Sequence, residues 1–297
     1  MLQESLEALA VKPQGTYVDL TFGGGGHARA ILNQLKGGRL FAFDQDHAAA
    51  QVADQLPRKH FTFIKANARF MQQFLVFYGV RQVDGMLVDL GVSSYQIDTA
   101  ARGFSTRFQG MLDMRMDQAS SLTARAIINH YSAAQLQQLL QNYGEVRNAR
   151  TLAQAIVATR RFQPMHTTED LRRLLQRWAP RGRESKYYAQ VFQALRIEVN
   201  DELGALRAIL KQSVRLLRPG GRLVVLSYHS LEDRLVKYFL NTGNFEGRLR
   251  TDVFGNVLRP LEPVYKKAIK PSETEIRANN RARSARLRAG AIVATRA

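Results

Sequence analysis

Apolar residues fall in short blocks near the start of this chain and at helical spacing through its middle. Val18-Asp19-Leu20-Thr21-Phe22 reads as a β-strand, and Gly23-Gly24-Gly25-Gly26 ends it before a helix over 28–35. A second strand over 39–43 ends on Asp44, and 61–65 reads as a third. The run Met86-Leu87-Val88 marks a fourth strand over 83–89, closed by Asp89-Leu90-Gly91. The next strand, 222–227, follows the turn residues Pro219-Gly220-Gly221. A crossover between parallel strands takes a few tens of residues at most. The interval from Leu90 to Gly221 is several times that, so it holds an insert.

The insert is patterned as helices. Ser132 and Gln135 form a capping box ahead of Leu136, Leu139 and Leu140, with Gly144 as the stop. Thr167 and Asp170 cap a segment whose Leu171, Leu174, Leu175 and Trp178 share one face, a packing stripe. Arg172, Arg173 and Arg177 lie outside that stripe, within reach of phosphates. From 187 to about 217 the spacing is helical again and returns the chain to the sheet. Beyond Lys266 apolar periodicity is weak, and that tail is expected to be ordered mainly by contact with the core or a ligand. The reading is an α/β core formed by 1–101 and 187–297, with a basic C-terminal tail, and an inserted helical domain over 102–186.

Composition narrows the classes. At 297 residues, 45% hydrophobic and 23% charged, the chain is long enough for a sizeable core. It has no apolar run long enough to span a bilayer and no secretory leader at Met1-Leu2-Gln3-Glu4, so no membrane partner is expected. The absence of cysteine excludes disulfides and thiolate zinc sites and makes a cytoplasmic location the default. Six scattered histidines show no metal-ligand spacing, and no metal is expected.

The net charge of +18 is unevenly placed. Residues 1–100 carry nine basic and nine acidic side chains. Residues 146–186 carry ten against three, and 266–297 nine against two. A neutral half beside two basic segments is the electrostatic footprint of nucleic-acid binding.

Strand, glycine loop, helix and a second strand ending in an acid make up the nucleotide-binding half of a Rossmann-like fold. Gly23-x-Gly25-x-x-Ala28 also satisfies the loose dinucleotide fingerprint, so an NAD-dependent oxidoreductase stays open. Three features favour S-adenosylmethionine instead. Asp19 precedes the glycines, Asp89-Leu90-Gly91 ends a strand at the sheet's carboxyl edge, and the basic segments suit a methyl donor better than a hydride donor. Without cysteine, C5 methylation of a pyrimidine lacks its thiolate, which leaves transfer to oxygen or an exocyclic nitrogen. The polar groups placed to hold an acceptor are Asp89, Ser93, Ser94, Tyr95 and Gln96 on one side and Tyr228 and His229 on the other.

The sequence resembles the bacterial small-subunit ribosomal RNA methyltransferase H family, nearly end to end. The resemblance is carried by residues 17–27, Asp89-Leu90-Gly91-Val92-Ser93-Ser94, Arg102-Gly103-Phe104-Ser105 and Leu112-Asp113-Met114-Arg115-Met116-Asp117. It continues through residues 192–200, His229-Ser230-Leu231-Glu232-Asp233-Arg234 and Arg281-Ala282-Arg283-Ser284. It implies a class I S-adenosylmethionine-dependent methyltransferase core with an inserted helical domain, acting on N4 of a decoding-centre cytosine in 16S rRNA. It implies cofactor binding by Gly25, Gly26, His27, Asp44, Asp89 and Gln96, with Ala68 where an aromatic is usual after the third strand.

Asp89, Ser93 and His229 are the catalytic candidates, and Arg172, Arg173, Arg281, Arg283 and Arg286 the RNA-binding ones. The expected partner is 16S rRNA or the small ribosomal subunit, and a homodimer stays open. So does a non-enzymatic ribosome-assembly factor that keeps the pocket. Met111 and Asn280 stand where the family usually has proline. The short His/Pro-containing lead that members carry before Leu2-Gln3-Glu4 is not seen, so part of the cofactor site's cover is expected to be missing. The Pro-Pro-aromatic signature of DNA amino-methyltransferases does not follow the fourth strand.

One further local role has a single reading and three have two. Ser230 with Asp233 is expected to cap a helix. His229 either contacts substrate or is a hydrogen-bonded loop residue. Asp113 and Asp117 are a carboxylate pair or are salt-bridged around Arg115. Tyr95 stacks on the target base or covers the cofactor.

Overall fold

The computed structural model describes residues 1–293. The chain forms two compact units, one from Met1–Gly91 together with the chain from Leu203 onward, the other from Val92–Glu202.

The first unit is built on a seven-stranded sheet. Its strands are β1 (Thr16–Asp19), β2 (Arg39–Asp44), β3 (Phe61–Lys65), β4 (Val83–Asp89), β5 (Leu217–Ser227), β6 (Leu261–Pro263) and β7 (Arg286–Ile292). Their order is β3-β2-β1-β4-β5-β7-β6, with β1 to β5 parallel and β7 antiparallel to both neighbours. This is the expected class I methyltransferase core. Val18 pairs with Phe41 on one side and Met86 on the other, at the centre of the sheet. Tyr17, Leu40, Phe43, Met86 and Leu87 are fully buried, so the central strands read as apolar runs rather than alternating ones. The strand order reverses between β1 and β4, and the crevice outside their carboxyl ends is where such sheets hold ligands.

Several local readings change. β1 stops at Asp19, although Leu20 and Phe22 still donate to the Leu87 and Phe43 carbonyls, and the following helix begins at Gly26. Pro219-Gly220-Gly221 does not precede β5 but bulges inside it: Val83 pairs with Leu217, and the register then jumps to Gly85 with Arg222. The tail is not held by contact alone. It supplies β7, which inserts between β5 and β6, with Leu287 and Ala289 facing the core. Its alternation was faint because small residues and arginines fill most positions. Arg288 of β7 makes a two-pronged ion pair with Asp233, at 2.8 and 3.2 Å.

The second unit is helical, with helices Ala124–His130, Ala133–Gly144, Ala149–Arg160, Thr168–Gln176 and Glu184–Asn200. Leu136, Leu140, Leu152, Ile156, Leu171 and Leu175 are buried in its core. Both expected capping boxes form, at Ser132/Gln135 and Thr167/Asp170. The helix over 133–144 closes on Glu145, which takes the left-handed position at φ 52. Gly144 serves a different need, since a Cβ there would stand 2.9 Å from the Gln190 carbonyl oxygen.

The unit is wider than the 102–186 read from the sequence. Asn200 donates to the Met114 carbonyl at 2.8 Å and accepts the Met116 N–H at 2.7 Å, which ties the Glu184–Asn200 helix to this unit. The helical stretch expected over 187–217 is two helices, broken at Asp201 (φ 45), the second being Glu202–Leu216. Among the described residues no helix is long and apolar enough to cross a membrane.

Candidate active site

The site in the first unit starts from the glycine loop between β1 and the Gly26–Gln34 helix. Gly23 (φ 51) and Gly25 (φ 73) are left-handed, and a Cβ on Gly25 would also strike the Phe22 ring at 2.8 Å. A Cβ at Gly24 or Gly26 would meet nothing within 4 Å, so the backbone there faces open space.

Asp44, at the end of β2, braces this loop. Its carboxylate accepts the Gly23 N–H at 2.8 Å and the Asp46 N–H at 2.9 Å. Burial pushes its pKa up, and those N–H bonds oppose the rise. Asn67 reaches Gln45, the next residue, with an amide hydrogen bond of 2.9 Å. That bond sets Ala68, buried in a 3-10 turn after β3, beside the end of β2; Phe70 is half exposed.

Asp19 ends β1 fully buried. One oxygen accepts the Thr21 N–H at 3.1 Å, and Oδ2 has no hydrogen-bond partner among the described residues. Burial pushes its pKa up to about 7, helped by the nearby charges of Asp89 and Asp44.

Asp89 ends β4. Its N–H donates to the Thr21 hydroxyl at 2.6 Å, its Oδ1 accepts the Tyr228 hydroxyl at 2.8 Å, and its Oδ2 lies 3.6 Å from His27 Nδ1. Burial raises the Asp89 pKa, while His27 and the Tyr228 hydrogen bond pull it down. Burial lowers the His27 pKa, and its Nε2 is buried with no hydrogen-bond partner among the described residues. The phenol of Tyr228 is pushed well above its ordinary range by burial and by Asp89.

Tyr228 and His229 leave the end of β5. The capping residue of the Ser230–Thr242 helix is His229, not Ser230. Its Nδ1 accepts the Glu232 N–H at 3.4 Å, and Glu232 accepts the Tyr228 and His229 N–H groups at 2.8 and 3.4 Å. His229 Nε2 also lies 3.1 Å from Glu232 Oε1, a close approach that is not a hydrogen bond. His229 is thus a hydrogen-bonded cap, and Asp233 is committed to Arg288. Glu232, buried beneath this box, was missed; the spacing His229-x-x-Glu232 was its signal.

In the second unit Ser93 and Gln96 form a reciprocal box. The Ser93 hydroxyl accepts the Gln96 N–H at 3.2 Å, and the Gln96 side chain accepts the Ser93 N–H at 2.9 Å. Gln96 is buried and Tyr95 exposed. Asp113 and Arg115 form a two-pronged salt bridge at 2.8 and 2.7 Å. Burial would raise the Asp113 pKa, but Arg115 holds it below the usual carboxylate range. Asp117 accepts the Ala119 N–H instead, so the two acids do not act as a pair.

Of the basic candidates, Arg172 and Arg173 both reach Glu169, at 3.1 and 3.3 Å, and Arg172 lies over the Tyr188 ring. Arg281 and Arg283, in a 3-10 turn, and Arg286, at the start of β7, are exposed in the first unit.

The first unit therefore gathers Gly25, Gly26, His27, Asp44 and Asp89 with Asp19 around one loop. Asp19 is fully buried, Asp44 and Asp89 are partly buried, and Asp89 faces a histidine that burial disfavours as a cation. Such a site suits a ligand rich in hydrogen-bond donors and positive charge.

Residues 1–292 match the MraW methylase family. The ribosomal RNA small subunit methyltransferase H of Amoebophilus asiaticus is 59% identical over 98% of this chain and 94% of its own length. Its counterpart from Cytophaga hutchinsonii is 56% identical over 97% and 96%. The one from Parabacteroides distasonis is 50% identical over 97% and 94%. The match takes in every strand of the sheet, the glycine loop with its three acids and the whole helical unit, and the chain belongs to the MraW methylase family.

Proposed function

We propose that the protein methylates small-subunit ribosomal RNA, at the exocyclic N4 of a decoding-centre cytosine in 16S rRNA, with S-adenosylmethionine as donor and the cytoplasm as its place of work. The observation that carries this reading is the set of three carboxylates, Asp19 fully and Asp44 and Asp89 partly buried, around a loop whose Gly24 and Gly26 face open space. The relatives' names supply the RNA class, and the resemblance supplies the base and atom.

The residues present fit the cofactor. Asp44 keeps acceptor capacity for the ribose hydroxyls beyond its two backbone donors. Ala68 offers a small apolar wall for the adenine. Gly25, Gly26 and His27 would line the methionyl end, with the buried carboxyl of Asp19 behind them favouring a positive charge there. When bound, the cofactor supplies an electrophilic methyl group. Gln96 keeps the cofactor-binding role that the resemblance implies, and Ser93 stays a catalytic candidate beside Asp89.

With cofactor and substrate bound, Asp89 would orient the amine and accept its proton. The amine is conjugated with the ring, so an acceptor placed for its proton lowers the barrier. Burial raises the basicity of Asp89, and the Tyr228 hydroxyl fixes one oxygen so that the other faces the loop. Most of the remaining rate enhancement is positioning of nucleophile and methyl carbon. Arg172, Arg173, Arg281, Arg283 and Arg286 contribute phosphate contacts.

Nucleoside mass spectrometry of 16S rRNA from a deletion strain tests the reading. Loss of a single N4-methylated cytidine supports it. An unchanged nucleoside profile sinks it and leaves the assembly-factor alternative.

A further inference from the structure

We propose that the opposite edge of the sheet, where the parallel strands begin, is a second contact surface for single-stranded RNA. A cleft of about 590 Å³ opens there, lined among others by Thr16, Arg39, Arg81, Arg215 and Arg218. All four arginines are exposed. Asp84 stands beside them, but it is already engaged by the Thr16 N–H at 2.8 Å and by Arg218 at 3.2 Å. Arg215 lies in the last turn of its helix, where a cation complements the helix dipole, and Arg39 sits over the Phe41 ring at 5.5 Å. Arg81 has no such employment: among the described residues its side chain has neither an ion pair nor a hydrogen bond. The cluster is strongly positive and calls for a polyanion.

Aromatic rings continue the same surface. Gly79 and Val80 line the cleft, and the residues just before them, Phe77 and Tyr78, are 80% and 42% exposed. Phe41, Tyr78 and Phe77 form a chain of rings, with centroids 5.8 and 5.2 Å apart, that runs from Arg39 to solvent. Guanidinium groups for phosphates beside an exposed ring for an unstacked base are the chemistry of single-stranded RNA recognition. The strands rise about 3.3 Å per residue, so this edge lies about 20 Å from the carboxyl ends. The surface therefore engages RNA remote from the target nucleotide. This inference rests on the reading of the protein as an RNA enzyme.

The test is a fluorescence-anisotropy titration of the full chain with a labelled 16S rRNA fragment carrying an unpaired loop, from about 50 to about 200 mM salt. The variants are Arg81→Gln with Arg215→Gln, and Phe77→Ala. The double variant is expected to flatten the log-log salt slope by about 0.7 per lost contact. Phe77→Ala is expected to weaken binding about five- to 150-fold with an unchanged slope. S-adenosylhomocysteine affinity, measured by calorimetry, should match the parent chain in both, since neither variant touches the glycine loop. A parent chain that binds no RNA overturns the functional reading and this inference with it. A parent that binds, with both variants keeping its affinity and slope, overturns this inference alone.

Discussion

Tyr228 donates its hydroxyl hydrogen to Asp89 Oδ1 at 2.8 Å, linking the ends of β5 and β4. The bond orients a partly buried carboxylate that desolvation would otherwise drive toward its neutral form. It also leaves Asp89 Oδ2 facing His27 and the glycine loop.

Removing the hydroxyl separates these two effects. Tyr228→Phe is expected to lower kcat/KM about tenfold or more, the scale of a lost hydrogen bond to a charged group. Because that bond pulls the Asp89 pKa down, its loss raises the pKa, and the acid limb of the pH–rate profile moves to higher pH. A profile of unchanged shape would show that Asp89 does not titrate in the reaction.

Asp44→Asn keeps the shape of the side chain but replaces one acceptor oxygen with a donor. It loses either the Gly23 N–H or a ribose contact, and S-adenosylhomocysteine is expected to bind about ten- to a hundredfold more weakly by calorimetry. An unaltered affinity would remove Asp44 from the cofactor site.

Asp19 supplies a pH dependence. Its pKa is about 7 in the folded chain against 3.8 for the free side chain, so the folded state keeps a proton that the unfolded state gives up. The stability this contributes is full below about pH 3.8 and is lost as pH rises through about 7. Without cofactor, the Tm of the parent chain should fall relative to that of Asp19→Asn as pH is raised across this window. An ammonium beside Asp19 favours the ionised form, so cofactor binding near pH 7 should release a proton in the parent and not in the variant. Calorimetry in buffers of different ionisation enthalpy reads that proton directly.

The arginines of the tail divide into two kinds. Replacing Arg281, Arg283 and Arg286 with glutamine is expected to flatten the salt dependence of RNA binding by about 0.7 to 0.9 per lost phosphate contact, with the Tm preserved. Arg288→Ala is expected to lower the Tm instead, because it strands the partly buried Asp233 carboxylate at the edge of β7. An RNA defect without a stability loss in Arg288→Ala would contradict that division.

Residue order alone determined what depends on near neighbours. β2, β3 and β4 end where their apolar runs meet polar or turn residues, and Asp44 and Asp89 stand at the carboxyl edge because those runs end on them. The glycine loop and the two helix caps of the insert were equally legible, since φ preference and capping hydrogen bonds reach only a few residues. Tertiary structure alone decided whatever joins distant parts of the chain. β7 became a strand because β5 and β6 offered it partners on both sides, although its own pattern is faint. Glu232 claimed His229 as the cap by holding the Tyr228 N–H, and Tyr228 claimed Asp89 across two strands. Asp19 acquired its raised pKa from burial among strands that close over it, and the basic cleft exists only where residues 16, 39, 81, 215 and 218 converge. Spacing along the chain carries local hydrogen bonding; desolvation and charge clustering depend on which distant residues the fold brings together.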